Sequence, residues 1–151
     1  MSPYFAIQYI PSERVARVAF AGRLELAERV RAMRQVAEKY HHLKPLRLLV
    51  DLRYQDPSSM AAGEQRQMAE FVRTNPVLRE AHIAMLYGRD YRATALVSGL
   101  VARALPNARA FMVESEAMAW LRVAYTRHCP VPVAAAGRFG GVRSVSKVGA
   151  G

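Results

Sequence analysis

The chain has 151 residues, of which 52% are hydrophobic and 23% charged, and its formal net charge is +10. This length suits one domain with its own core, and no apolar run approaches the roughly 20 residues that a membrane-spanning helix needs. The single cysteine excludes an intramolecular disulfide, and the start of the chain lacks the basic and apolar regions of an export signal, so we expect a cytoplasmic protein.

The first forty residues predict a β-hairpin followed by a helix. Two stretches rich in aromatic and β-branched residues, Tyr4 to Ile10 and Arg14 to Phe20, flank a short turn that contains Pro11. Between residues 24 and 40, apolar residues recur at helical spacing, and the charged residues, Arg29 among them, fall mostly on other faces. The apolar positions of this helix are Leu26, Val30, Met33, Ala37 and Tyr40.

A near-continuous apolar run from Leu46 to Leu52, interrupted by Arg47 and Asp51, predicts a strand buried on both faces of a sheet. Because a helix connects it to the preceding strand, this strand is expected to pair in parallel. Asp51 and Arg53 come at its end, where the simplest interpretation is a loop-capping carboxylate paired with the arginine.

The remaining elements alternate between helices and strands. They are a helix over Glu64 to Thr74, a strand over Ala81 to Leu86, a helix over Asp90 to Leu105, a strand over Arg109 to Val113 and a final helix from Ser115. The order ββαβαβαβα predicts a single α/β domain over residues 1–123, with a mixed, mostly parallel five-stranded sheet, an N-terminal β-hairpin and four helices.

The last part of the chain differs in composition. Residues 124–151 are rich in Pro, Ala, Gly and Ser and contain four basic residues and no acidic one. Such a segment buries little apolar surface, so we expect a mobile tail. Its charge also raises the hypothesis of nucleic-acid binding, which ranks third among the functions considered below.

Three short stretches of the domain, in their order and spacing, resemble the SpoIIAA-like family. Its members are stand-alone bacterial domains grouped with the STAS regulators and the CRAL-TRIO lipid-binding fold. They are Phe20-Ala21-Gly22, Leu49-Val50-Asp51-Leu52-Arg53 and Glu116-Ala117-Met118-Ala119-Trp120-Leu121. The resemblance covers residues 4 to 123. It implies a non-enzymatic regulatory or protein-interaction module, which would need a protein partner and could include self-association as a homodimer.

In the better understood relatives, an Asp-Ser-Ser/Thr-Gly motif at a helix start carries a serine that is phosphorylated, and a phosphate there repels a partner surface. Here Pro57 interrupts the motif, and Gly63 lies too far along the chain. The alternative interpretation of the hydroxyls is helix capping. The candidate switch and interaction residues are Ser58, Ser59, Glu64 and Arg66.

Catalytic and metal-binding signatures are not apparent in the sequence. Four histidines and scattered serines form no nucleophile–base pattern, and His41-His42 lacks further ligands at metal spacing and is better explained as a helix C-terminal cap. We therefore predict a protein that is not an enzyme, with no catalytic residue, metal or cofactor.

A second hypothesis is a carrier or sensor of a small apolar or anionic lipid-like ligand. Ligands of open α/β sheets bind beyond the carboxyl ends of the strands, which draws attention to polar residues there. The candidate residues of the pocket mouth are Asp51, Arg53, Tyr54 and Tyr87. Met118, Trp120, Leu121 and Phe111 are expected to seal the core under the final helix, or alternatively to line the pocket.

Overall fold

The computed structural model describes residues 3–56, 61–88 and 105–128. The strands are β1 (Tyr4–Ile10), β2 (Val15–Gly22), β3 (Arg47–Gln55), β4 (His82–Leu86) and β5 (Ala108–Phe111). The helices are α1 (Leu26–Lys39), α2 (Ala62–Thr74) and α3 (Glu114–His128), with a single 3-10 turn at Leu78–Glu80 before β4. The predicted helix from Asp90 to Leu105 falls almost wholly outside the described residues.

The five strands lie side by side in chain order, β1 to β5. β1 and β2 form the predicted antiparallel hairpin, and every later pair is parallel. This confirms the mixed, mostly parallel five-stranded sheet. Gly22 ends β2 with a φ of 77°, a conformation that suits glycine because it has no side chain.

The helices divide between the two faces of the sheet. α1 and α2 share one core with alternate residues of the central strands, among them Phe20, Val50 and Met85. α3 covers β3, β4 and β5 on the other face. Because β3 is covered on both faces, its first five residues are all buried, as a central parallel strand requires.

The core under α3 is small and apolar. Met118 and Leu121 pack there against the sheet, with Phe111 and Trp120 partly buried at its margin. This confirms that the four residues seal the core under the final helix. α3 itself continues to His128, five residues past the composition boundary at 123, and the rest of the predicted tail lies beyond the described part of the chain.

Candidate functional site

Four charged side chains meet at the carboxyl end of β3, on the face that α3 covers. This Asp51 cluster consists of Arg17, Asp51, Arg53 and Glu114. The Asp51 carboxylate is fully buried, whereas the side chains of Arg17 and Arg53 keep 20% and 29% of their surface exposed. Oδ1 of Asp51 accepts hydrogen bonds from the backbone amide of Arg53 at 3.1 Å and from its Nε at 2.9 Å. Oδ2 accepts one from Nη2 of Arg53 at 2.8 Å and another from Nη2 of Arg17.

These contacts keep the buried carboxylate ionised. Burial alone raises the pKa of Asp51, because a charged group loses its hydration, but the hydrogen bonds from Arg53 and the charges of Arg53 and Arg17 outweigh burial, so that the pKa lies below its ordinary value. The hydrogen bond to Asp51 raises the pKa of Arg53 in turn. The predicted pairing of Asp51 with Arg53 is confirmed, but the predicted loop-capping position is wrong, because β3 continues to Gln55 and both residues lie within the strand.

The Asp51 cluster also connects the sheet to the start of α3. Glu114 is the first residue of that helix, and its carboxylate lies 3.1 Å from Nη2 of Arg53 and 3.6 Å from Nη1 of Arg17. Two positive and two negative groups therefore neutralise one another. An internally balanced network of this kind fixes a helix to a sheet and leaves little net charge to attract a ligand.

A β-bulge near the carboxyl end of β3 determines which of its side chains lie on each face of the sheet. Ala19 of β2 pairs with Asp51 of β3, and Ala21 pairs with Tyr54, so that two steps along β2 correspond to three along β3. One extra residue breaks the normal alternation of a strand. As a result Leu52 and Gln55, three positions apart, both lie on the face opposite the Asp51 cluster, where they line a cavity.

This apolar cavity lies between α1, α2 and the carboxyl ends of the central strands, and its volume is about 70 Å³. Nine of the described side chains that line it are apolar, and three of these are methionines, which adapt readily to the shape of a ligand. The polar lining residues among the described part of the chain are Arg29, Gln55 and Gln65. Two larger hollows, of about 540 and 280 Å³, lie at the amino ends of β3 and β4, and the charged residues in their lining are all exposed.

Arg29 is the unusual member of the cavity lining, because only 4% of its surface is exposed. Its Nε donates to the Leu24 carbonyl at 3.3 Å, its Nη1 donates to Oε1 of Gln55 at 2.5 Å, and its guanidinium lies 5.4 Å from the centre of the Phe20 ring. Burial lowers the pKa of Arg29, and the charges of Glu64 and Glu28 offset this only in part. A buried cation thus borders an apolar space.

The sequence analysis placed Arg29 with the outward-facing charges of α1, and this prediction was wrong. The buried face of the helix carries Arg29 together with Ala32, Met33, Val36 and Ala37. Arg29 lies one turn before Met33, and that i to i+4 spacing to an apolar residue was the available sign. The hydrophobic periodicity concealed it because an arginine does not count as apolar, although its stem packs well against apolar surface.

The residues proposed for a pocket mouth lie apart from this cavity. Asp51 and Arg53 belong to the cluster on the opposite face, and Tyr54 is 58% exposed, with the Arg53 guanidinium 5.5 Å from the centre of its ring. Tyr87 is buried in the core beneath α1 and α2, where its hydroxyl donates to Sδ of Met85 at 3.5 Å. Met85 itself lines the cavity, so Tyr87 contacts a residue of the cavity wall.

Of the proposed switch residues, Ser58 and Ser59 lie outside the described residues. The Glu64 carboxylate accepts a hydrogen bond from the backbone amide of Ala61 at 3.1 Å, which caps the start of α2. Arg66 is exposed on the same helix. The structure therefore gives Glu64 a capping role and an electrostatic influence on Arg29, both of which act within the molecule.

The histidines that are described do not form a metal centre. Nδ1 of His41 lies 2.9 Å from the Glu38 carbonyl, at the end of α1, in agreement with the predicted helix C-terminal cap. Within residues 3–56, 61–88 and 105–128, no three His, Cys, Asp or Glu side chains come together as a metal would need. In the same three ranges, none of the helices combines the length and apolar character required to cross a bilayer.

Comparison of the chain with family models, curated proteins and solved structures gives no match.

Proposed function

We propose that this protein is a binding module for a small amphipathic anion, most simply a short-chain carboxylate. The apolar part of the ligand would occupy the cavity between α1, α2 and the sheet, and its carboxylate would bind Arg29. The observation that carries the proposal is a guanidinium that is 4% exposed and borders a mostly apolar cavity.

The position and size of the cavity support this proposal. It lies at the carboxyl ends of β3 and β4, where open α/β sheets bind their ligands. Its volume of about 70 Å³ is roughly half that of an apolar cavity that accommodates benzene (about 150 Å³). A chain of about three or four carbons fits this space, whereas a longer chain would have to extend past it.

The chemistry of Arg29 supports the choice of an anion. A desolvated cation gains most from a carboxylate, which accepts two hydrogen bonds from one guanidinium and supplies the opposite charge. Arg29 also donates hydrogen bonds to the Leu24 carbonyl and to Oε1 of Gln55, and these contacts hold its guanidinium at the cavity wall. A bound carboxylate would offset the same burial that lowers the pKa of Arg29.

We propose binding without a reaction because of the groups that meet in the cavity. The polar lining among the described residues is one guanidinium and two amides. Neither type of group serves as a nucleophile or exchanges protons near neutral pH, so this described lining can hold an anion but supplies no group that would activate it. The role suggested by the SpoIIAA-like resemblance, a bacterial regulator with a protein partner, stays compatible with a ligand-sensing module and is part of this proposal.

The test compares butyrate with 1-butanol as probes in isothermal titration calorimetry of the full chain. We expect butyrate to bind the wild type, and the R29Q variant to bind it at least about tenfold more weakly, because a hydrogen bond to a charged group contributes about 1.5–3 kcal/mol. The neutral alcohol should bind both proteins weakly and alike. The matched control is R31Q, because Arg31 lies exposed on the same helix.

Two results would overturn this proposal. One is equal butyrate affinity in the wild type and in R29Q, with R29Q shown by circular dichroism to be folded. The other is the absence of binding by the wild type to both butyrate and pentanoate, whose apolar chains of about three and four carbons match the cavity volume.

A further inference from the structure

The edge of the sheet formed by β1 lacks the features that normally protect a strand edge. Among the described residues, β1 has a neighbouring strand on one side only. It is seven residues long, Tyr4-Phe5-Ala6-Ile7-Gln8-Tyr9-Ile10, and contains neither a charge nor a proline. Half of its backbone N–H and C=O groups point away from β2, where they form a template for another strand.

The opposite edge is different. β5 is only four residues long and carries the exposed Arg109. Short length and charge are the usual protections against edge-to-edge pairing. One edge of this sheet is thus closed to further strands by its sequence, while the other is not.

The side chains of β1 are also incompletely covered. Phe5, Ile7 and Tyr9 pack against the core beneath α1 but stay half-buried. On the other face Tyr4 is 54% exposed, and α3 lies over β3 to β5, away from β1. A strand added beside β1 would bury apolar surface on both faces.

We infer that β1 pairs antiparallel with β1 of a second copy of this chain, so that two five-stranded sheets join into one. The inference rests on a different surface from the proposed ligand cavity and is independent of it. A two-fold axis through Ile7 pairs all seven residues without overhang. In this register Phe5 lies opposite Tyr9 of the second copy, and Ala6 lies opposite Gln8 of the second copy.

The symmetry of the strand sequence favours a second copy over an unrelated peptide. The strand is self-complementary about Ile7, with an aromatic opposite an aromatic and no like charges opposed. An edge of this length buries less than a standard interface, so the dimer is expected to be weak, in the micromolar range. Both copies carry a formal charge of +10, and salt screens their repulsion, so association should strengthen as ionic strength rises.

Sedimentation velocity of the full chain over a micromolar concentration series tests this inference. The wild type should show a monomer–dimer equilibrium. The A6E/Q8E variant places carboxylates opposite carboxylates across the two-fold axis, and we expect it to weaken self-association about tenfold. Within each copy the new acid at position 8 lies opposite Arg17 on β2, so the hairpin itself should tolerate it.

The A6K/Q8E variant keeps one of these substitutions but places opposite charges across the axis, so it should restore dimerisation. The control is A110E, which adds a charge to the exposed edge strand β5 and should leave the equilibrium unchanged. A monomer at all concentrations in the wild type would overturn the inference. So would equal dimerisation of A6E/Q8E and the wild type, or a failure of A6K/Q8E to recover, since either result would exclude this register.

Discussion

The two faces of the sheet each bury an ion, and they do so in different ways. On the α3 face, Asp51 is fully buried but accepts hydrogen bonds from two guanidinium groups. On the α1 and α2 face, Arg29 is 4% exposed and borders a mostly apolar cavity. The buried Asp51 fixes the start of α3 to the sheet, whereas for the buried Arg29 we propose a role in binding a ligand.

The largest expected effect comes from removing the charge of Asp51. D51N preserves the shape of the side chain but removes the buried one of the two carboxylates that Arg17 and Arg53 share. Breaking a buried ion pair by removing one partner costs about 3–5 kcal/mol, and we expect the lower end because both arginines are partly exposed. Urea denaturation measures the free energy of unfolding.

E114Q is the matched control for that variant. Glu114 belongs to the same cluster, but its side chain is 43% exposed, so the loss of its charge should lower the free energy of unfolding by less than about 1 kcal/mol. Equal losses in E114Q and D51N would contradict the central role given to Asp51.

The pH dependence of stability provides the next comparison. Because the pKa of Asp51 in the folded protein lies below its ordinary value, the unfolded chain takes up the proton first as pH falls. The stabilisation by Asp51 is therefore complete above about pH 5 and is lost as the pH falls through the folded pKa. The difference in unfolding free energy between the wild type and D51N should be constant from about pH 5 to about pH 7 and shrink below about pH 4. A difference that grows on acidification would show that the sign is wrong.

The fold was predictable where local patterns decide it. The hairpin, the buried strand at Leu46 to Leu52 and the helix after β5 follow from strand composition, turn residues and hydrophobic periodicity. The parallel sheet follows from the alternation of helices and strands. The third of the four predicted helices, Asp90 to Leu105, lies almost entirely outside the described residues and stays a prediction.

The site was predictable only in part, for a physical reason. Asp51 and Arg53 are two residues apart on one strand, so their pairing is local and visible in the sequence. Arg17 binds the Asp51 carboxylate, and Glu114 binds Arg53. These two residues lie 34 and 63 positions from Asp51 along the chain, and only the fold brings them together. The bulge that turns Gln55 towards Arg29 leaves no composition signature, which is why the cavity was missed.

The smallest expected effect on stability comes from replacing Arg29, and it is the sharpest test of the contrast between the two ions. R29M keeps a side chain of similar length while it removes the buried charge. R29M relieves the cost of burying a charge but also removes the hydrogen bonds to the Leu24 carbonyl and to Gln55; because the two effects oppose each other, the free energy of unfolding should change by less than about 1 kcal/mol. Gln55 is only partly buried and can recover hydration when its donor is lost.

The measurement is urea denaturation of R29M beside the exposed-site control R31M, together with butyrate titration of both variants. We expect similar stability in the two variants and loss of butyrate binding in R29M alone. If R29M instead lost as much stability as D51N, Arg29 would be a structural ion like Asp51, and the difference between the two faces of the sheet would disappear. A stable R29M that no longer binds the anion would show that this arginine is kept for a ligand and not for the fold.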